Sequence, residues 1–388
     1  MVMNLSSRIT SIPESAIRAA FSSAQKSGDT INLSIGEPDF DTPEHIKAAA
    51  KKALDEGYTH YAPNAGIPDL LDSIGTKLKL ENGVDVEPNE QVIVTIGGTQ
   101  AIQLALTVLL QEGEEVLIPS PAFVAYQAST RISGGVPIEV NLAEDYSLDV
   151  EEIKSRITNK TKVLIINTPS NPTGAITARK ELTKIAELAK DKGFYILSDE
   201  VYEKFIYEGE HTSIGSLPDM GEFVITINSL SKAYGMTGWR LGYAAGPSEV
   251  INQMIKAQMY SCACVPTFIQ KAAITALQSP EIMFDSIREE FKKRRDAVIR
   301  ELSDTPNLSI IKPKGAFYLL PKINNLGVTS ADFAKELLQM AKVAIVPGSA
   351  FGNLGENHIR ISYGSTIEKV SEGARRISEH LKSRKISR

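Results

Sequence analysis

Among its 388 residues the chain has two cysteines, Cys262 and Cys264. Neighbours at i and i+2 are poorly placed to bond each other, and two thiols cannot make a disulfide framework. A C-x-C pair needs further ligands to hold a metal, and no histidine or third cysteine is nearby. Both are therefore expected as buried, reduced thiols, with no metal. No block of Lys and Arg interrupts a net charge of −5, which argues against a nucleic-acid surface. Every apolar run is broken by polar residues well short of the ~20 needed for a membrane span. The start, MVMNLSSRITSIPES, lacks the basic segment and apolar stretch of a secretory signal. These absences lead us to expect a cytoplasmic protein that meets small molecules rather than nucleic acid or membrane.

What is present is ordinary for a globular chain, with 42% hydrophobic and 23% charged residues and a length that suggests two domains. From about residue 90 to 246, short β-branched runs alternate with longer helical patterns. VIVTI (92–96), EVLIPS, VPIEV, KVLIIN (162–167), FYILSDE, FVITINS and RLGYAAG read as strands. AIQLALTVLLQEG and ELTKIAELAKDKG (181–193) read as helices, the second stopping at Gly193. Near-continuous apolar strands separated by helices mean an α/β fold with a mostly parallel sheet covered on both faces, whose ligands sit at the carboxyl ends of the strands. The last third reads as a smaller α+β domain. It has a charged helix (about 280–303), an extended segment LSIIKPKGAFYLLPKI, a helix (330–342), strands VAIVPG and HIRIS, and a final helix. The expected division is 1–44 as a segment packing on the small domain, 45–280 as the large domain and 281–388 as the small one.

The chemistry gathers at the ends of those strands. Lys232 lies in SLSKAYGMTGWRLGY with Arg240 eight residues on, and Asp199 and Tyr202 close the run FYILSDEVY. An amine, a carboxylate at a strand end and an arginine suit a cofactor with an aldehyde, a pyridine nitrogen and a phosphate, namely pyridoxal 5′-phosphate (PLP). In VIVTIGGTQ, Gly97 and Gly98 let the backbone approach an anion, and Thr99 and Gln100 place amides at a helix N-terminus. Taken alone, that turn is an ordinary glycine-rich connection. Asp199 alone reads equally as a helix N-cap, Asn171 in NTPSNPTGA as an Asx turn, and Tyr202 as a core tyrosine with a wet tip. A nearby cation and desolvation would both lower the pKa of Lys232 and favour its nucleophilic amine. In HIRIS, Ile359 and Ile361 are expected on one face and His358, Arg360 and Ser362 on a polar one. There Arg360 offers a bidentate fork for a carboxylate. Ser229-Leu-Ser-Lys232 also matches the S-x-x-K of penicillin-binding proteins, but the accompanying S-D-N and K-T-G strings are absent.

The chain resembles the fold-type I PLP aminotransferases of class I/II. The resemblance runs through IGEPDFDTPEHI (35–46), YAPNAGIPDL (61–70), GGTQA (97–101), NTPSNPTGA (167–175), SDEVYE (198–203), SLSKAYGMTGWRLGY (229–243), KPKGAFY (312–318), VPGSAFG (346–352) and HIRIS (358–362). It implies Lys232 as the Schiff-base lysine and proton shuttle, with Asp199 on the pyridinium nitrogen and Asn171 and Tyr202 on the ring oxygen. It implies Ser229, Ser231, Arg240 and the Gly98, Thr99 and Gln100 amides on the phosphate, Phe123 stacked on the ring, and Gly36 and Arg360 on the substrate α-carboxylate. Phe123 and Asn171 are also expected to meet the substrate. Tyr61 is expected to reach the partner's cofactor in a homodimer. The implied reaction is ping-pong transfer of an amino group from an L-amino acid to a 2-oxo acid, with 2-oxoglutarate the usual acceptor. Some aspartate-preferring members carry a basic residue after the paired glycines, where Thr99 stands here. The stretches EVLIPSPAFVAY, AYGMTGWRLGY and VPTFIQKAA are similar to archaeal aromatic aminotransferases. Aromatic or broad donors thus rank first and aspartate second, followed by alanine or kynurenine, with a C–S β-lyase as the alternative on the same scaffold. Ile12, Pro13 and Ile17 are expected in a mobile N-terminal lid.

Overall fold

The computed structural model describes residues 5–26 and 28–384. Its centre is a seven-stranded sheet: β1 (Val92–Thr95), β2 (Glu115–Ser120), β3 (Val136–Asn141), β4 (Thr161–Asn167), β5 (Tyr195–Asp199), β6 (Val224–Ser229) and β7 (Gly242–Ala245), in the order β1-β7-β6-β5-β4-β2-β3. All neighbours are parallel except β7, which runs antiparallel to both β1 and β6. Alternation along the strands explains the double covering. Val163 and Ile165 of β4 face one apolar cluster, and Leu164 and Ile166 face another on the opposite side. Each such fully buried branched side chain contributes roughly 1.5–3 kcal/mol. Helix α3 (Gly98–Leu109) covers the first face and α5 (Arg179–Lys192) the second; α1 (Ala16–Lys26) and α2 (Pro68–Lys77) lie earlier in the chain. Helix α5 ends on Gly193 at φ 74°, a left-handed cap that glycine adopts without penalty.

Register brings the site together. Asn167 pairs with Asp199, Asp199 with Ile227, and Ser229 with Gly242, so the carboxyl ends of β4, β5 and β6 finish side by side. The short helical turn Leu230–Ala233, which carries Lys232, follows β6 at once.

The C-terminal part contains helices α6 (Ile282–Leu302) and α7 (Ile367–Ser383) and a small antiparallel sheet. That sheet has β10 (Ile359–Ser362) between β8 (Tyr318–Leu319) and β9 (Val346–Pro347). The N-terminal segment laces onto it: Ile31–Asn32 pairs with Val343–Ala344, and the Ser362 amide donates to Leu33 O at 2.9 Å. One apolar cluster runs across both parts, with Phe205, Phe291 and Phe317 in mutual contact, their ring centroids 5.1–5.6 Å apart.

Three local readings are corrected. The segment 308–323 forms only two-residue strands rather than one extended run. The helix expected over 330–342 is α-helical for Ser330–Glu336 and then widens to i+5 bonding over Leu337–Ala341. In β10 all four residues are buried, so Arg360 stands on no solvated face. Among the described residues, no helix is long and apolar enough to cross a membrane.

Candidate active site

A cavity of about 240 Å³ opens at the carboxyl ends of β4–β6. Its lining includes Gly36, Gly98, Thr99, Phe123, Asn171, Asp199, Tyr202, Ser229, Ser231, Lys232, Arg240 and Arg360. These residues come from eight stretches of sequence, and the fold converges them on one volume. Of the residues singled out from sequence, Tyr61 and Gln100 are absent from that lining. Tyr61 is 91% exposed.

At the closed end, Asp199 terminates β5 and is 5% exposed. Its Oδ2 accepts the Tyr126 hydroxyl at 2.7 Å and its Oδ1 the Val201 amide at 3.2 Å. Burial pushes its carboxyl up to about 6, against the lowering effect of those two donors. A cationic N–H brought to this oxygen would restore the charged form. Tyr126 was not foreseen, yet it stands three residues after Phe123 on the same turn of α4 (Val124–Ile132), where it lines the same cavity.

Lys232 donates from Nζ to the Gly36 carbonyl at 2.6 Å. Burial, opposed by Glu37 and Asp199 and reinforced by Arg360 and Arg240, brings its amine down to about 8. About a tenth is then unprotonated at pH 7, far more than for an ordinary lysine, and that free amine is the nucleophile. The Ser229 hydroxyl donates to Leu241 O at 3.0 Å and lies 2.9 Å from Ser231 Oγ, and no hydrogen bond joins it to Lys232. That geometry removes the S-x-x-K hydrolase reading.

At the open end, α3 begins at Gly98 behind Gly97, whose φ is 95°. A Cβ on Gly97 would lie 2.5 Å from Arg240 Nη2, so glycine is what lets the guanidinium close over the turn. The first two helical amides, of Gly98 and Thr99, are the orphan donors of that N-terminus. The Gln100 amide is committed to Gly97 O at 3.1 Å, and its side chain to the Ile96 amide and to Cys262 Sγ. Cys262 and Cys264 are both free thiols and half-buried rather than buried.

Arg360 is 1% exposed. It donates to Asn171 Oδ1 at 3.1 Å and to Ser34 O at 2.5 Å, while its Nε has no partner among the described residues. Tyr318 and Phe351 flank its plane at 4.6 and 5.0 Å. A buried guanidinium with no carboxylate beside it is costly, and an incoming anion relieves it. Of the residues expected in a lid, Ile17 lines the cavity, whereas Ile12 and Pro13 line a separate cleft with Ala122 and Phe351.

The depressed amine, the buried carboxylate, the helix N-terminus under an arginine and the carboxylate-hungry Arg360 fit PLP and an amino acid together. The fold and cavity thus define a PLP-dependent enzyme. The model of the family described as aminotransferase class I and II matches residues 28–377, and the chain belongs to that family. It is 46% identical to an aspartate aminotransferase of Pyrococcus abyssi, over 99% of this chain and 100% of that one. It is equally 46% identical to aromatic-amino-acid aminotransferase 2 of Thermococcus litoralis, over the same shares. Among solved structures, the aromatic aminotransferase of Pyrococcus horikoshii OT3 superposes with a TM-score of 0.90 at 46% identity, covering 95% of this chain and 100% of that one. The protein is an aminotransferase that uses PLP to move an amino group from an amino acid to a 2-oxo acid.

Proposed function

We propose that the preferred amino donors are aromatic or other uncharged L-amino acids, with 2-oxoglutarate as acceptor in a ping-pong cycle. One observation carries this reading. The cavity's cations are Lys232, Arg240 and Arg360, all three already engaged at the cofactor or the α-carboxylate, and the rest of its lining includes Ile17, Thr99 and Phe123, which carry no charge. A distal carboxylate would find no further cation among the described residues there. Aspartate is the second reading, supported by the name of the Pyrococcus abyssi relative.

PLP supplies the carbonyl that receives the amine and the ring that takes up the electrons of the Cα bond. The chain's own residues do the rest. Arg360, helped by Asn171, orients the α-carboxylate; the Lys232 amine takes the Cα proton and returns it on the far side of the transfer; Asp199 keeps the ring nitrogen protonated; Tyr202 and Asn171 donate to the ring oxygen; Phe123 covers the ring. The Gly98 and Thr99 amides, Ser229, Ser231 and Arg240 hold the phosphate. The Gln100 amide, spent on Gly97 O, is not needed among them. The active unit is a homodimer in which Tyr61, 91% exposed here, reaches the partner's cofactor. Residues 1–44, 45–280 and 281–388 act as the N-terminal segment, the large domain and the small domain. The free thiols suit a reducing, cytoplasmic setting.

Steady-state kcat/KM over a donor panel tests the reading. Phenylalanine or tyrosine is expected to exceed aspartate by about tenfold or more, the worth of one missing ion pair. An aspartate preference overturns it, and release of pyruvate and ammonia from cystathionine points to the lyase alternative.

A further inference from the structure

We propose that Tyr318 is a positioning residue that tunes the cofactor through Tyr202, forming a hydrogen-bonded relay from the Tyr318 hydroxyl, polarised by Arg360 over its ring, to the cofactor's ring oxygen. The proposal rests on the assignment of Tyr202 to that oxygen. Tyr318 sits on β8 of the small part and is fully buried, yet it lines the active cavity. Its hydroxyl lies 2.8 Å from that of Tyr202, with the rings edge-on at 87°. Between two hydroxyls only one donates, and the surroundings choose which. The guanidinium of Arg360 lies 4.6 Å from the centre of the Tyr318 ring. A cation on the ring face withdraws density from the phenol, strengthens it as a donor and weakens it as an acceptor. Tyr318 therefore donates and Tyr202 accepts.

Tyr202 then has its own proton free for the ring oxygen, and by accepting one hydrogen bond it becomes the better donor of the next. The local chain makes room for this arrangement. A Cβ on Gly36 would fall 2.5 Å from the Tyr318 hydroxyl, so the residue whose carbonyl holds Lys232 is also the one that admits that hydroxyl. A stronger donor on the ring oxygen stabilises its anionic form and makes the Lys232-linked nitrogen easier to deprotonate.

The test is a pH titration of the visible absorbance of the holoenzyme for wild type, Tyr318→Phe, Tyr202→Phe and the double variant. Phenylalanine keeps the ring over Arg360, so the melting temperature is expected to stay within a few degrees of wild type. Tyr202→Phe raises the titration midpoint. Tyr318→Phe raises it by a smaller amount, and the double variant titrates with Tyr202→Phe alone because the relay has one exit. With the favoured donor, Tyr318→Phe lowers kcat about threefold and moves KM by less than about twofold, since the carboxylate contact survives. If Tyr202→Phe shifts the midpoint and Tyr318→Phe does not, or if the two shifts add, the relay is overturned while the role of Tyr202 stands. If Tyr202→Phe itself moves nothing, the assignment of Tyr202 falls and the relay falls with it.

Discussion

Asp199 and Glu200 are neighbours in sequence, both buried, and they enter two polar regions of opposite design. Asp199 faces the cavity with Tyr126 and one amide, and its carboxyl is pushed up to about 6 by burial. Glu200 turns into the protein, where Ser198, Ser213 and Asn82 donate to it and His211 Nε2 lies at 2.9 Å. Beside it Lys77 pairs with Glu203 and Asn82. Burial pushes the Glu203 carboxyl up, but Lys77 and His211 outweigh it and hold the group at about 2. In that inner region each carboxylate is compensated from within the chain. In the cavity a carboxylate, an amine and an arginine are all left short of partners. An incomplete buried set costs stability and marks where a ligand finishes the structure; a complete set marks scaffold.

Substitutions should separate the two regions. Lys232→Ala has the largest effect: turnover is lost altogether in a steady-state transamination assay, while the far-ultraviolet circular dichroism is unchanged. Asp199→Ala lowers kcat by about a hundredfold or more, equivalent to about 2.7 kcal/mol of barrier, because the ring nitrogen loses the anion that keeps it protonated. A loss below tenfold would detach Asp199 from the ring. Lys77→Met acts in reverse. It leaves Glu203 buried without its cation and costs about 3–5 kcal/mol of stability by denaturant titration, with kcat near wild type in the folded fraction. The same pair sets an acid limit. Because the Glu203 carboxyl is depressed in the folded state, its contribution is full above the ordinary carboxylate range and is lost as pH falls towards about 2. Stability measured between pH 5 and 3 should fall less steeply in Lys77→Met than in wild type. Tyr126→Phe is the mildest change. It removes one donor to Asp199, costs about 1 kcal/mol in kcat/KM and moves the acid limb of its pH profile upward.

Much of the cavity was legible because its residues sit in local signals: glycines before a helix, a carboxylate ending an apolar run, a lysine among small residues. The strands were legible for a similar reason, since double covering leaves β4 to β6 apolar through most of their length. What was missed depends on distance along the chain. Tyr126 meets Asp199 across 73 residues and Tyr318 meets Tyr202 across 116, and no local pattern encodes either pairing. The face of Arg360 was misread because HIRIS alternates like a half-exposed strand. The N-terminal segment covers its polar side, with the Ser34 carbonyl reaching the guanidinium from 326 residues away. The Gln100 amide, expected on the phosphate, is the first of that helix turned back on Gly97 O, a bond no local pattern announces.

The most direct measurement of the central claim is single-turnover absorbance of purified holoenzyme mixed with one amino acid at a time and no 2-oxo acid. The expected result is stoichiometric loss of the Lys232-linked cofactor band, growth of the aminated cofactor band, and faster conversion with phenylalanine or tyrosine than with aspartate. A cofactor band that no amino acid converts would contradict the account.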